Sequence, residues 1–127
     1  MISHITLGKW GEDVAVIYLK KINYRIVERN YRCKFGEIDI IALEGQTIVF
    51  VEVKTRSSGE FGCPQTGVTP RKQRQLTKIA HYYLQKHQLF HRDARFDVVA
   101  VEKRSGEKQI TMIRNAFEVT DRVLSRA

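Results

Sequence analysis

Residues 36–56, with the sequence GEIDIIALEGQTIVFVEVKTR, contain the most informative pattern in the chain. Two runs rich in Ile, Val and Phe flank Gly45 and Gln46, and glycine is a typical residue of the tight turn between antiparallel strands. The stretch therefore predicts a β-hairpin with a two-residue turn. Because both of its faces are largely apolar, we expect this hairpin at the covered centre of a sheet. The apolar residues of one face are Ile38, Ile40, Ala42, Val49, Val51 and Val53, and those of the other are Ile41, Leu43, Ile48 and Phe50.

One face of the predicted hairpin also carries four charged residues at the end away from the turn. Symmetry about the turn places Asp39 opposite Glu52 and Glu37 opposite Lys54, and side-chain alternation puts all four on the face of Phe50. These charges could form an ion-pair cluster in which Lys54 neutralises one carboxylate. However, carboxylates directly opposite each other repel, and one lysine cannot fully compensate several acids in a partly desolvated site. Since carboxylate oxygens are natural ligands of Mg²⁺, the pattern favours a metal site over an ion-pair cluster.

The spacing of these charges resembles a known nuclease signature. Asp39, followed by Glu52, Val53 and Lys54, is similar to the D…(E)xK signature of the restriction-endonuclease-like (PD-(D/E)xK) nuclease superfamily. A longer pattern, which spans nearly the whole chain, resembles the YraN-like family of bacterial proteins within that superfamily. This pattern consists of Gly11, Glu12, Ala15, Asn30, residues 36–39, residues 50–56, Gly62, Lys72 and residues 95–98.

The resemblance implies an α/β fold in which a restriction-endonuclease-like mixed central sheet is flanked by helices. It also implies that Asp39, Glu52 and Lys54 are the catalytic residues of a metal-dependent endonuclease. Asp39 and Glu52 would bind Mg²⁺ or Mn²⁺, and Lys54 would position or deprotonate water and stabilise negative charge on the phosphate. Glu12 would be a further metal ligand, although it also suits an acid that interacts with the dipole at a helix N-terminus. The implied reaction is metal-assisted hydrolysis of phosphodiester bonds.

The charge balance indicates a nucleic-acid partner. The chain has 22 Lys and Arg residues against 14 Asp and Glu residues, which gives a formal net charge of +8 and favours binding to a polyanion. We expect Arg56, Lys72 and Gln73 to contact nucleic acid, since Lys72 and Gln73 extend the buried stripe of the second long helix towards the site. Broad similarity to archaeal junction-resolving enzymes suggests branched or structured DNA rather than RNA. The alternative is a catalytically inactive nucleic-acid-binding accessory protein, and a homodimer is possible.

Bulk properties bound the class of protein. With 127 residues, 43% of them hydrophobic and 28% charged, the chain predicts a single globular domain over residues 1–127. Cys33 and Cys63 have neither CxxC spacing nor a disulfide framework, as expected in a reducing compartment. The N-terminus lacks the apolar core of a signal peptide, and no stretch is long and apolar enough to span a membrane. We therefore expect a soluble, cytoplasmic protein without a membrane partner.

The periodicity along the chain predicts the element order α-β-β-β-α-β-β-α. Thr69 and Pro70 suit the N-cap and first residue of a helix that continues to about residue 87. The other elements are expected at about residues 6–22 (helix), 24–32 (strand), 95–102 (strand) and 108–113 (strand), in addition to the hairpin.

Four further expectations concern single residues and one loop. Asn115 is expected to cap a short terminal helix that extends to about residue 124. Asp97 is expected to be structural and to pair with a basic neighbour. Arg25, Arg29 and Arg32 are expected on a solvated basic face, with phosphate contact as the alternative. The long loop at residues 57–69 leaves the predicted site directly, so we expect it to grip the substrate.

Overall fold

The elements follow one another in the predicted order as far as the structure extends. The computed structural model describes residues 4–57 and 68–117. Its elements are α1 (His4–Lys21), β1 (Arg25–Cys33), β2 (Gly36–Glu44), β3 (Thr47–Arg56), α2 (Pro70–Lys86), β4 (Ala94–Arg104) and β5 (Glu107–Phe117). The part of the predicted terminal helix beyond residue 117 and residues 58–67 of the predicted substrate-gripping loop (57–69) lie outside the described residues.

The five described strands form one mixed sheet in the order β1-β2-β3-β4-β5. The pairs β1–β2, β2–β3 and β4–β5 are antiparallel, whereas β3 and β4 are parallel. A parallel pair needs a long crossover connection, which α2 supplies between β3 and β4. The hairpin of β2 and β3 therefore contributes the central strand, β3, and the predicted mixed α/β architecture is confirmed.

Each face of the sheet is covered by one of the two described helices. The core on the α1 face contains Val14, Ala15, Val16, Leu19, Tyr24, Ile40, Ala42, Val49, Val51, Val99 and Val101. The core on the α2 face contains Tyr31, Ile38, Ile41, Ile48, Phe50, Leu76, Ile79, Ala80, Tyr83, Leu84 and Phe96. Helix α2 begins as predicted, because Pro70 is its first residue and the Thr69 hydroxyl accepts a hydrogen bond from the Lys72 backbone N–H at 3.2 Å. Neither described helix has the length and apolar character needed to cross a membrane.

The predicted register of the hairpin is confirmed next to the turn. The ladder of β2 and β3 runs from Glu44–Thr47 to Ile40–Val51 and is symmetrical about the two-residue turn. Gly45 has a φ of 59°, a conformation that glycine adopts without steric cost.

The two central strands separate immediately beyond this ladder. Asp39 and Glu52 would form the next pair, but the β2–β3 register ends before them. β2 continues to pair with β1, where Ile38 lies opposite Tyr31. β3 continues to pair with β4, where Glu52 lies opposite Val98. The acidic residues therefore lie at a fork between two strands rather than in a continuous ladder.

The predicted face of Ile38 is wrong. Ile38 packs in the core on the α2 face, whereas Ile40 packs in the core on the α1 face, so strict alternation fails between them. The physical reason lies in β1, which pairs with this part of β2. Asn30 has a φ of 54° there, and a left-handed residue in a strand changes its local twist. This change directs Tyr31 and Ile38 together towards α2.

The predicted role of Asn115 is also wrong, whereas that of Asp97 is confirmed. Asn115 lies inside β5 with a φ of 53°, where the register with β4 shifts, and its backbone N–H donates to Asp97 Oδ1 at 2.8 Å. The preference of asparagine for left-handed backbone serves a strand irregularity here instead of a helix cap. Asp97 is buried and pairs with Arg95 at 3.0 Å, so it stabilises the fold.

Candidate active site

The side chain of Asp39 connects the two strands of the fork. Its Oδ2 atom accepts a hydrogen bond from the Val53 backbone N–H at 2.8 Å. Because the β2–β3 ladder ends at Ile40–Val51, this carboxylate takes the place of the strand acceptor that Val53 would otherwise need. The hairpin sequence thus fixes Asp39 against the backbone of β3, next to the side chain of Glu52.

Glu52 is the second acid of the fork. Its side chain is 16% exposed, and its Oε2 atom lies 3.6 Å from Lys72 Nζ at the start of α2. Burial raises the pKa of Glu52, and the opposing attraction of Lys72 and Lys54 does not cancel this effect. The side chain of Asp39 also interacts with that of Glu52 and lowers the pKa of Glu52.

The electrostatics of Asp39 show that the fork holds excess negative charge. Burial, followed by repulsion from Glu52, raises the pKa of Asp39 to about 7. The hydrogen bond from Val53 and the charge of Lys72 act in the opposite direction. Two carboxyl groups that share a partly desolvated site and resist simultaneous ionisation are the arrangement that a bound cation would relieve.

Glu12 reaches the same cluster from α1. The helix begins at His4, so Glu12 lies beyond its first turn and the interpretation as a partner of the N-terminal dipole is wrong. Gly11 allows α1 to approach β3 closely, since a Cβ atom there would lie 2.0 Å from Thr55 Oγ1. Burial, and then repulsion from Asp39, raises the pKa of Glu12. The charge of Asp39 therefore acts on Glu12, which brings the end of this side chain near the fork.

Asn30 joins two acids of the cluster, which the sequence reasoning missed. With its amide nitrogen turned towards them, Asn30 donates hydrogen bonds to Glu37 Oε2 at 2.8 Å and to Glu12 Oε1 at 3.2 Å. Glu37 also raises the pKa of Asp39 by charge repulsion. An asparagine inside a predicted strand could have indicated an irregularity at this position. Asparagine tolerates the left-handed backbone found here.

Arg25 and Arg32 of the predicted basic face are exposed, whereas Arg29 is only partly exposed. Arg29 Nη2 lies 2.8 Å from Asp13 Oδ1 and 3.9 Å from Glu12 Oε1, and its side chain is 34% exposed. It therefore ties β1 to α1 at the edge of the acidic cluster. Sequence spacing could not show this contact, because the two partners belong to elements whose docking is set by tertiary packing.

The residues predicted to bind nucleic acid have distinct surroundings. Lys72 lies next to Glu52, as its position on the helix stripe predicted. Gln73 donates from Nε2 to the Val68 carbonyl oxygen at 2.7 Å, so it fixes the chain that leads into α2. Arg56 is the last residue of β3 and lies opposite Glu102 of β4. Lys72 therefore lies at the fork, and Gln73 follows it in the first turn of α2. Arg56 lies further along the central strand.

The donor set of the fork fits a small, hard cation. Within residues 4–57 and 68–117, no group of three or more His, Cys, Asp or Glu side chains is arranged to hold a metal ion. Mg²⁺, however, is commonly held by one or two carboxylates and keeps several waters. Asp39 and Glu52 provide such a pair of oxygen ligands. Burial raises the pKa of both carboxyl groups, and repulsion from Glu52 raises that of Asp39 further, so a bound cation would favour their ionised forms.

The fold and the acidic fork of its central strands define a restriction-endonuclease-like protein. The chain matches the "Uncharacterised protein family UPF0102" over residues 11–101 and belongs to that family, which confirms the YraN-like resemblance. It is 51% identical over 119 residues to the UPF0102 protein of Syntrophus aciditrophicus (strain SB), with 94% of each chain covered. It is 55% identical over 115 residues to the UPF0102 protein of Geotalea uraniireducens (strain Rf4), with 90% of this chain and 91% of that chain covered.

A more distant likeness exists to one solved structure, "The structure of Pyrococcus Furiosus SfsA in complex with Ca2+". The two share 15% sequence identity with a TM-score of 0.38, over 87% of this chain and 62% of that chain. This likeness is too slight to indicate a function.

Proposed function

We propose that this protein is a metal-dependent endonuclease that hydrolyses phosphodiester bonds in nucleic acid. The observation that carries the proposal is the pair of Asp39 and Glu52 at the strand fork, where burial and mutual repulsion raise the pKa of Asp39 to about 7. In this proposal Asp39 and Glu52 hold Mg²⁺ or Mn²⁺, with Glu12 as a further ligand. A cation bound there supplies Lewis-acid polarisation of the phosphate and an acidified water.

The basic residues around the fork stabilise charge on the phosphate and orient the attacking water. Lys54 lies close enough to Glu52 for its charge to lower the pKa of that carboxyl group. Its ammonium group can orient water and stabilise negative charge that develops on the phosphate, which is a major source of catalysis in such sites. Lys72 is 40% exposed beside Glu52, so it can meet an approaching phosphate while still neutralising part of the fork.

The proposed substrate is DNA with a branched or otherwise structured form. The formal net charge of +8 supports a nucleic-acid partner, because basic surfaces gain affinity by releasing counterions from phosphates. Arg56, Lys72 and Gln73 are the proposed contacts on the protein. Arg56 and Lys72 would meet phosphates through their charges, and Gln73 would position the start of α2 beside them.

A catalytically inactive nucleic-acid-binding protein is the second candidate. One observation favours it: the described carboxylates do not form a ready-made set of three ligands. The net charge of +8 would serve binding alone equally well. In that case the fork would be a structural feature in which Asp39 replaces a backbone acceptor for Val53.

Cleavage assays with matched variants separate the two candidates. Wild type, Asp39→Asn, Glu52→Gln and Lys54→Ala are incubated with branched, flapped, duplex and single-stranded substrates in Mg²⁺, Mn²⁺ or EDTA. We expect both carboxylate variants to lose cleavage and Lys54→Ala to lose about 10²–10³ in rate. Glu107→Gln, an exposed substitution in the β4–β5 hairpin, is the control and should cleave as wild type does.

Calorimetric titration with Mn²⁺ tests the metal site independently of turnover. Wild type and Glu107→Gln should bind Mn²⁺, and Asp39→Asn and Glu52→Gln should bind it at least about tenfold more weakly, since each removes a charged ligand. Metal binding without cleavage of any substrate would leave a metal site but reject the nuclease. Absence of both metal binding and cleavage, in a protein that still binds the same substrates in EDTA, would establish the inactive nucleic-acid-binding alternative.

A further inference from the structure

A groove that contains none of the fork residues opens between α2 and the turn that joins β1 to β2. Its volume is about 490 Å³. We refer to it as the Phe35–Tyr82 groove. It is lined by Lys34, Phe35, His81, Tyr82, Gln85 and Lys86.

Two aromatic rings form the apolar part of the groove. Phe35 is 39% exposed, so part of its ring is open to a ligand. Its ring meets that of Tyr82 edge to face, with centroids 6.0 Å apart and planes at 73°. The turn that presents Phe35 is fixed to α2, because Gln75 Nε2 donates to the Phe35 carbonyl oxygen at 3.2 Å. The rings are therefore held in place on the surface.

A lysine accompanies each ring. Lys34 Nζ lies 5.3 Å from the centroid of Phe35, and Lys86 Nζ lies 6.0 Å from the centroid of Tyr82. Among the described residues that line the groove, none is acidic. Aromatic rings interleaved with cations are the combination by which proteins hold single-stranded nucleic acid, with bases on the rings and phosphates on the cations.

The groove and the acidic fork are connected along one side of α2. Lys72, Gln75, Tyr82 and Lys86 follow one another at intervals of three, seven and four residues, which places them along one stripe of a helix. Lys72 lies beside Glu52 at one end of this stripe. Tyr82 lies about 15 Å further along the helix axis, since each residue of an α-helix rises about 1.5 Å.

We propose that the Phe35–Tyr82 groove binds unpaired nucleotides of a single-stranded segment. Bases stack on Phe35 and Tyr82, and neighbouring phosphates contact Lys34 and Lys86. The stripe along α2 then leads the same strand towards the fork. Only this last step rests on the proposed nuclease function, whereas binding in the groove requires no metal and no cleavage.

Binding measured in EDTA tests the groove separately from catalysis. The probes are a fluorescent oligothymidylate of about 15 nucleotides, a length that matches single-strand binding sites, and a duplex of equal length. Fluorescence anisotropy gives the affinity of wild type, Phe35→Leu and Phe35→Trp for each probe. Phe35→Leu keeps apolar bulk but removes the ring, so affinity for the single strand should fall about tenfold. Phe35→Trp should bind as wild type does, and affinity for the duplex should be the same for all three proteins.

The lysines are tested with a charge-matched control. The slope of log affinity against log salt for the single strand should become shallower in the double variant Lys34→Gln/Lys86→Gln. The change should be about 0.7 for each phosphate that is no longer neutralised. Lys20→Gln, at an exposed position in the last turn of α1, removes a lysine away from the groove and should have a smaller effect. Thermal unfolding of each variant confirms that it is folded before binding is compared.

The results distinguish failure of the groove from failure of the nuclease. Unchanged single-strand affinity in Phe35→Leu, or equal loss of affinity for both probes, would overturn the groove. Dependence of single-strand binding on Phe35 in a protein that cuts nothing would support the groove and reject the nuclease. Cleavage by wild type, together with single-strand binding that does not depend on Phe35, would support the nuclease and reject the groove.

Discussion

At the scale of single residues, Asp39 serves two purposes that conflict when no cation is bound. Its carboxylate accepts the Val53 backbone N–H and thereby satisfies the open edge of β3. The same carboxylate faces Glu52 in a partly buried position, which raises its pKa to about 7. A protein that needed only the hydrogen bond could use a neutral acceptor, because an amide oxygen accepts the same N–H. A carboxyl group at this position therefore suits the proposed cation, which an amide could not neutralise by charge.

The first prediction concerns the stability of the metal-free protein as pH changes. The ordinary pKa of Asp39 is 3.8 and its pKa in the folded protein is about 7. Between these values the folded state holds a proton that the unfolded state has lost, so stability decreases as pH rises from about 4 to 7. Asp39→Asn keeps an acceptor for Val53 but removes the charge. We expect it to be more stable than wild type at pH 8 in EDTA, by about 2 kcal/mol.

Urea denaturation in EDTA at pH 4 and pH 8 measures this effect. The difference between Asp39→Asn and wild type should be large at pH 8 and small at pH 4, where both side chains are neutral. Glu107→Gln, the same charge removal in the β4–β5 hairpin, should show no comparable gain at pH 8. Equal stability of Asp39→Asn and wild type at both pH values would mean that the fork tolerates its charges without a cation.

At the scale of elements, the close contact between α1 and β3 brings the third acid to the fork. Gly11 packs against Thr55, and the next residue along the helix is Glu12, whose pKa responds to Asp39. A larger residue at position 11 would push the helix away from the strand. The glycine thus contributes to the site without carrying any functional group.

The second prediction compares two glycines of the same helix. In Gly11→Ala the new Cβ atom would lie 2.9 Å from Thr55 Cβ and closer still to Thr55 Oγ1. Because Cβ of Thr55 is fixed to the strand backbone, no rotamer change relieves this overlap. We expect a loss of about 1–3 kcal/mol in the free energy of unfolding. Gly8→Ala meets nothing within 4 Å and should instead stabilise the helix by up to about 1 kcal/mol.

Chemical denaturation of both variants, together with Mn²⁺ titration of each, checks this prediction. Gly11→Ala should also weaken Mn²⁺ binding, because Glu12 is displaced along with the helix, whereas Gly8→Ala should leave it unchanged. Two variants of equal stability would show that α1 can move away from β3 at little cost.

The elements were predictable from sequence because their signals are local. The turn at Gly45, the N-cap at Thr69 and the alternating hairpin each depend on a few neighbouring residues, and the structure places all three where the pattern indicated. The fork was not predictable in this way. It depends on the left-handed Asn30 in β1 and on the continued pairing of β3 with β4.

The sequence predicted which residues belong to the candidate site, but it did not predict the contacts between them. Asp39 and Glu52 could be placed together from the hairpin register, even though that register ends one pair earlier. The bond from Asn30 to Glu12 and Glu37 joins three separate elements. Residues that meet only through tertiary packing leave no spacing in the sequence by which to find them.

At the scale of the whole molecule, an acidic fork lies within a strongly basic protein. The net charge is +8 even though the fork gathers several carboxylates. The net positive charge favours the approach of a polyanion at long range. At the fork, however, the carboxylates repel phosphate unless they are neutralised. We therefore expect the proposed binding of nucleic acid in EDTA to depend on the basic residues around the fork rather than on the fork itself.

The last prediction follows from this distribution. Affinity for duplex DNA in EDTA should decrease steeply with salt, with a slope of log affinity against log salt of roughly −0.9 for each phosphate neutralised. Lys72 lies beside the fork and is 40% exposed, so Lys72→Gln should make the slope shallower by about 0.9, as expected when one phosphate fewer is neutralised. Lys20→Gln, which removes the same charge from the far end of α1, is the control and should leave the slope close to that of wild type. Fluorescence anisotropy with a labelled duplex at several KCl concentrations gives the three slopes. A flat dependence in wild type would remove phosphate neutralisation as the reason for the basic surface, and equal slopes for Lys72→Gln and wild type would place the DNA away from the fork.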